Sequence, residues 1–269
     1  IDAEGNDWIN HNATAGSAGD YRGIPNLVHP NDGGYFHPGR SGVISSVLSQ
    51  GPLKATVHSR TSDNKWETMW EIFPDYARLT VLLADKNYWF LYEGTPGGLL
   101  ELDTDFVVRS DGTQTLTGQT WSGDLAAPEW VFFGDPNVNR SLYFVHHEND
   151  SQVDSYTDQN AEMTVFGFGR DGNSRLLSQT PSQFTFGLAN QTDQLSVEAK
   201  LDSAFQPLNI TLGSTEEQTQ ASSSGPWSDH KIFNTSDSPD RNRLADINGD
   251  GRLDAVVGYE AISKAGKLA

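Results

Sequence analysis

The chain has 269 residues, a formal charge of −18 and no cysteine. That length allows one large β domain or a domain with an appendage, and the missing cysteine excludes disulfides, thiolate nucleophiles and Cys-ligated zinc. Nucleic acids and anionic membranes are poor partners for so acidic a chain. An anionic polysaccharide is still open to it, because a local cluster of Arg and His acts within a Debye length of about 10 Å. The seven Trp offer flat apolar faces of the kind sugar rings pack against, although a sandwich core would absorb most of them.

Strand signals recur along the chain and helix signals hardly at all. Gly and Pro are too frequent between residues 15 and 40 for regular structure, so this stretch reads as a long loop. From Leu53 to Arg60 the pattern alternates, with Leu53, Ala55 and Val57 facing one way and Lys54, Thr56, His58 and Arg60 the other. Further strands are expected at Trp66–Phe73, Arg78–Leu83, Tyr88–Tyr92, Asp105–Arg109, Trp130–Phe133, Leu142–His146, Met163–Phe168 and Phe184–Leu188, separated by Gly, Pro and Asp turns. The pattern predicts an all-β fold, an antiparallel β-sandwich of jelly-roll type over residues 1–207 with one short helix. That helix would run from Thr192 or Asp193 to about Phe205, with Asp193 as its cap and Leu195, Ala199 and Phe205 toward the sheet. A polar linker at 208–226 then leads to a second β unit at 227–269.

The N-terminal third is dense in proton-transfer and anion-binding groups: Tyr21, Arg22, Asn26, His29, Tyr35, His37 and Arg40 within the loop, then His58 and Arg60 side by side on one face of a strand. Long loops over a β scaffold are where sites usually sit. β-Elimination of a uronic-acid polymer needs cations or amides to neutralise the carboxylate, a Tyr or His base for the C5 proton, and an acid for the leaving oxygen. The cluster meets that requirement. Tyr21 or Tyr35 would be acid or base, His37 and His58 proton-transfer partners, Arg22, Arg40 and Arg60 the carboxylate clamp, and Asn26 and His29 substrate contacts. In architecture and in class of site the main domain resembles the jelly-roll polysaccharide lyases. That resemblance implies a secreted lyase acting on a uronic-acid glycan.

Two other constellations keep alternatives open. In Trp66-Glu67-Thr68-Met69-Trp70-Glu71, the two Glu share a face with Met69, and Trp66 and Trp70 share the other. Paired Glu on a strand beside Trp resemble the Glu-x-Asp-x-Glu strand of laminarinase-type glycosidases, which would make Glu67 nucleophile and Glu71 acid/base. Met69 stands where that family has its Asp, and the two backbones would lie about 13 Å apart on a regular strand. In Val145-His146-His147-Glu148, neighbouring residues point to opposite faces, so only one His can join a given site, with His147 a candidate across the sheet. A non-catalytic, lectin-like reading, in which aromatics such as Trp66 stack on sugar without chemistry, accounts for the same composition.

Near the C-terminus, Asp246, Asn248, Asp250 and Asp254 fall at positions 1, 3, 5 and 9 of a calcium loop, with Gly251 at the sharp turn. Val257 takes the place of the EF-hand's bidentate Glu, and the apolar run after Asp254 reads as a strand. The segment therefore resembles an FG-GAP/VCBS-type repeat, which implies a structural Ca2+ and an extracellular setting. Six Asn-x-Ser/Thr sequons, at Asn12, Asn139, Asn149, Asn190, Asn209 and Asn234, exceed the roughly three expected by chance and fit a secreted glycoprotein. The polar start Ile1-Asp2-Ala3-Glu4 fits a mature form with its signal removed.

Overall fold

A computed structural model describes residues 1–28 and 42–205, together with the backbone of 239–245 and 254–259. The chain divides into two units, Ile1–Leu208 and Asn209–Ala269.

The first unit is an antiparallel β-sandwich. Its smaller sheet orders β1 (Gly23–Asn26), β6 (Phe90–Gly94), β13 (Met163–Phe168), β12 (Asp154–Gln159) and β9 (Trp121–Gly123). The larger sheet begins with a meander, β2 (Val43–Gln50), β3 (Ala55–Thr61), β4 (Trp66–Ile72) and β5 (Tyr76–Ala84). It continues through β16 (Ser182–Ala189), β11 (Arg140–His146), β10 (Trp130–Asp135), β7 (Phe106–Arg109) and β8 (Gln114–Leu116). A small ribbon, β14 (Arg170–Asp171) with β15 (Ser174–Arg175), lies between β13 and β16 in the chain.

Strand alternation sets the packing. Alternate residues of both sheets form one aromatic core, in which Phe90 stacks on Phe184 at 4.6 Å and meets Phe144 and Phe168 edge-on. Aromatic pairs of this kind add about 0.5–1.5 kcal/mol each beyond their buried area. Fully buried tyrosines find backbone acceptors: Tyr92 donates to the Trp8 carbonyl and Tyr156 to that of Thr117. Trp66 belongs to this core and meets Tyr88 edge-on at 6.4 Å.

The opposite face of the larger sheet carries a second apolar layer of Val108, Phe132, Tyr143 and Val145, covered by helix α2 (Gln194–Phe205). An earlier helical turn, α1 (Ser17–Asp20), precedes β1. The expected helix is therefore present, but its buried face differs from expectation. Leu195 and Ala199 are exposed, and Val197 and Leu201, one turn apart, make the contact together with Ala204 and Phe205. Asp193 caps the helix, its Oδ1 accepting from Ser196 N at 3.1 Å. Asp193→Ala should lower the unfolding free energy by about 1 kcal/mol in a urea titration, and an unchanged midpoint would show that the cap contributes nothing. Among the described residues no helix is long and apolar enough to cross a membrane.

In the second unit, β17 (Pro239–Ala245) pairs antiparallel with β18 (Asp254–Tyr259), placing Ala245 opposite Asp254. The strand expected after the calcium-type loop is thus present. Asp246, Asn248 and Asp250 lie outside the described residues, and Asp254 is described by its backbone alone.

Candidate functional site

Of the residues singled out in the N-terminal third, His29, Tyr35, His37 and Arg40 lie outside the described residues. Tyr21 sits at the end of α1 with its side chain partly in solvent. Arg22 donates to three backbone carbonyls, Ala18 at 2.8 Å, Asn10 at 2.7 Å and Glu162 at 2.9 Å, so it ties the N-terminal segment to the β12–β13 turn. Asn26 is buried on β1, donating to the Tyr21 carbonyl at 2.6 Å and to the Glu93 carboxylate. Burial pushes Glu93 up to about 7, against the opposing pull of Asn26 and Arg170. These three residues are part of, or lead into, the smaller sheet, which packs on the core face of the larger one.

Trp66, expected as a sugar platform, is instead buried in the core, because its side of β4 faces the smaller sheet. The remaining predicted residues of the first unit gather on the opposite face of the larger sheet. Trp66, Thr68 and Trp70 of β4 turn toward the core, so Glu67, Met69 and Glu71 turn outward. The strand register continues that outward surface: Arg60 lies opposite Glu67, His58 opposite Met69, and Arg78 opposite both Glu71 and Thr185. His147, just past β11, joins it through Thr185 Oγ1, 2.9 Å from its Nε2, and Arg78 Nε donates to the same hydroxyl at 3.4 Å. Burial, with Arg78 second, depresses His147 to about 4, which leaves it neutral near pH 7.

One face thus holds His58, Arg60, Glu67, Glu71 and His147, but not at one point. Four strand spacings separate His58 from His147, roughly 19 Å. Glu71 is held by Lys54 at 2.6 Å. His58 Nε2 meets Glu67 Oε1 at 2.6 Å, both side chains part-exposed, and Arg60 beside them is exposed. The carboxylate on Nε2 places the ring proton there and leaves Nδ1 as the basic nitrogen. Lys54 and Arg78 complete the charged surface of this face. Lys54 belongs to the alternating face of Leu53–Arg60 and Arg78 opens an expected strand, but no local pattern marks either as a site residue.

A second constellation lies on the core side. A pocket of about 90 Å3 is lined by Tyr88, His146, Glu148, Asp150, Gln152 and Ser182, among others. His146 turns inward where its neighbour His147 turns outward, as alternation requires. Its Nδ1 is 2.7 Å from the fully buried Glu129 Oε2, and its ring stacks on Phe184 at 4.8 Å. Nε2 faces Ser182 Oγ and Glu148 Oε2, each at 3.3 Å. Burial alone would lower this imidazole, but the bonds to Glu129 and Glu148 raise it to about 9. Tyr88, whose hydroxyl donates to the Gln179 carbonyl, is raised to about 12 by burial. Glu129 was not identified from the sequence, since its link to His146 exists only through the pairing of β10 with β11.

Two groups of side chains among the described residues could hold a metal ion: Glu129 with His146 and Asp150, and Glu101 with Asp105 and Asp135. In the second, Asp105 is buried with Oδ2 on the Glu101 amide at 2.8 Å, and burial with Asp135 and Glu101 nearby raises it to about 7.

No protein-family model, curated protein or solved structure matches the chain.

Proposed function

We propose that the first unit is a polysaccharide lyase that cleaves a uronic-acid glycan by β-elimination on the outer face of its larger sheet. The observation that carries this reading is the His58–Glu67 pair at 2.6 Å, beside exposed Arg60 on the outer sheet face. Arg60 would neutralise the uronate carboxylate and so acidify the C5 proton. His58 Nδ1 takes that proton, the C–H electrons form the C4–C5 double bond, and the C4–O bond breaks. The proton then passes from the imidazolium to the leaving oxygen, returning His58 to its starting form. Glu67 fixes the tautomer and stabilises the imidazolium in between, as a carboxylate does behind any histidine base.

The hydrolase reading has less support. Glu67 and Glu71 are each tied to a different basic side chain, and Met69 lies between them. An extracellular setting with structural calcium in the second unit remains part of the proposal. It is supported by the loop pattern of Asp246, Asn248, Asp250 and Asp254 and by the exposure of the sequon residues Asn12, Asn139, Asn149 and Asn190.

Charge recognition is testable apart from chemistry. Arg60→Ala should raise KM for a uronic-acid polymer roughly tenfold, the effect of losing a charge-assisted contact of about 1.4 kcal/mol. Retention on a uronate affinity gel should weaken in parallel, and a neutral glucan gel should retain neither form. An unchanged KM for Arg60→Ala, or retention by the neutral gel alone, would contradict the assignment.

A further inference from the structure

We propose that the pocket beside His146 is a site for a zinc-class divalent cation, held by the His146 Nε2 and the Glu148 and Asp150 carboxylates, with Ser182 alongside. The inference does not rest on the lyase reading, because His146 lies on the core face of the larger sheet and His58 on the opposite face.

Orientation is the first argument. Glu129 is fully buried; its Oε2 holds His146 Nδ1 at 2.7 Å and its Oε1 accepts from Asp150 N at 2.7 Å. One carboxylate therefore fixes the ring and positions the start of the Asp150 turn. The pocket lining includes His146 but not Glu129, so the nitrogen offered to the pocket is Nε2. Metal-binding histidines are held in this way, with a carboxylate behind the ring fixing the tautomer and leaving the other nitrogen for the ion.

Spacing is the second argument. A charge-assisted N–H···O bond closes to about 2.7–2.9 Å, as on the Nδ1 side. On the Nε2 side the contacts are longer: Glu148 Oε2 and Ser182 Oγ each lie at 3.3 Å. Glu148 Oε2 also accepts from Ser182 Oγ at 3.0 Å and from Gln183 N at 2.9 Å. Ligands about 2.0–2.1 Å from a tetrahedral ion are separated by about 3.3–3.4 Å. Nε2 and Glu148 Oε2 are thus spaced like two ligands of such an ion, with Ser182 Oγ beside them. Asp150 lines the same pocket and offers an oxygen within 4.8 Å of the His146 and Glu129 donors. A pocket of about 90 Å3 has room for an ion.

Donor type selects the ion. One imidazole nitrogen with two carboxylates suits zinc, manganese or cobalt, whereas calcium takes oxygen ligands throughout. Stripping the full chain with a chelator and titrating Zn2+ by calorimetry should show tight binding of a single ion and a rise in Tm. Co2+ should give a visible absorption band. His146→Gln should abolish the band and the Tm rise, and Glu129→Gln should weaken Zn2+ binding by roughly 10- to 100-fold. Should His146→Gln not fold, Glu148→Gln, at a half-exposed position, decides the matter and is expected to lose the band. Absence of binding by the wild type, or equal binding by wild type and both pocket variants, would overturn the site and leave Glu129, His146 and Glu148 as a proton-balanced ion triad.

Discussion

Replacing His58 by alanine is expected to lower kcat for elimination roughly 10²- to 10⁴-fold, the usual contribution of a positioned general base. KM should change little, because the substrate carboxylate is assigned to Arg60. The fold should survive, since His58 is a part-exposed residue on the outer face of β3, and losing a surface pair with Glu67 costs at most about 1 kcal/mol. Glu67→Gln should fall between the two, because an amide can still orient the ring but does not stabilise the imidazolium. Glu71→Gln supplies the contrast. If elimination at His58 is the chemistry, this variant stays within a few-fold of wild type. If Glu67 and Glu71 act as a hydrolytic pair, removing either carboxylate removes the activity, and His58→Ala leaves much of it.

Stability of the first unit is expected to fall as pH rises from about 6 to about 8, opposite to the usual carboxylate behaviour. Burial raises Glu93, Asp105 and Asp154 each to about 7; Asp135 and Glu101 add to the shift at Asp105, and Glu129 and Asp150 at Asp154. The folded chain then holds more protons than the unfolded chain between the ordinary carboxylate range and about 7. Stability is therefore full at the acidic end of that window and is lost as pH climbs through about 7. Each of the three accounts for about 1 kcal/mol between pH 6 and pH 8. His146, raised to about 9, acts in the same direction, and His147, depressed to about 4, offsets part of it. Urea unfolding at both pH values, at fixed ionic strength and with a chelator present, measures the difference. Glu93→Gln should reduce it by about 1 kcal/mol. A midpoint that is flat or rises with pH would contradict the account.

Much of the sandwich was legible because alternation is a local signal. The strand expected from Leu53 to Arg60 became β3 at Ala55–Thr61, and the one expected from Trp130 to Phe133 became β10, longer by two residues. Other strands were missed because their sequences look like loops. β12, Asp154 to Gln159, is rich in polar residues and is a strand because β13 and β9 pair on either side of it. β2 is an edge strand with most of its residues in solvent, so selection for a buried face left little pattern to read.

The candidate site was legible in part for the same reason. Alternation placed His58 with Arg60, and Glu67 with Glu71, and the register then put both pairs on one face. It also separated His146 from His147. Residue type alone does not show that the Arg22 and Asn26 side chains bond the N-terminal segment and the smaller sheet. Nothing local announces that Arg22 will reach the Glu162 carbonyl, or that Glu129 will lie behind His146, because both contacts exist only after distant strands pair.

The most direct test of the central claim is the ultraviolet absorbance of unsaturated uronate while the protein is incubated with a panel of acidic polysaccharides. The account predicts a steady rise on at least one uronic-acid polymer, abolished by His58→Ala. New reducing ends without that absorbance, or glycan binding with no product at all, would contradict it.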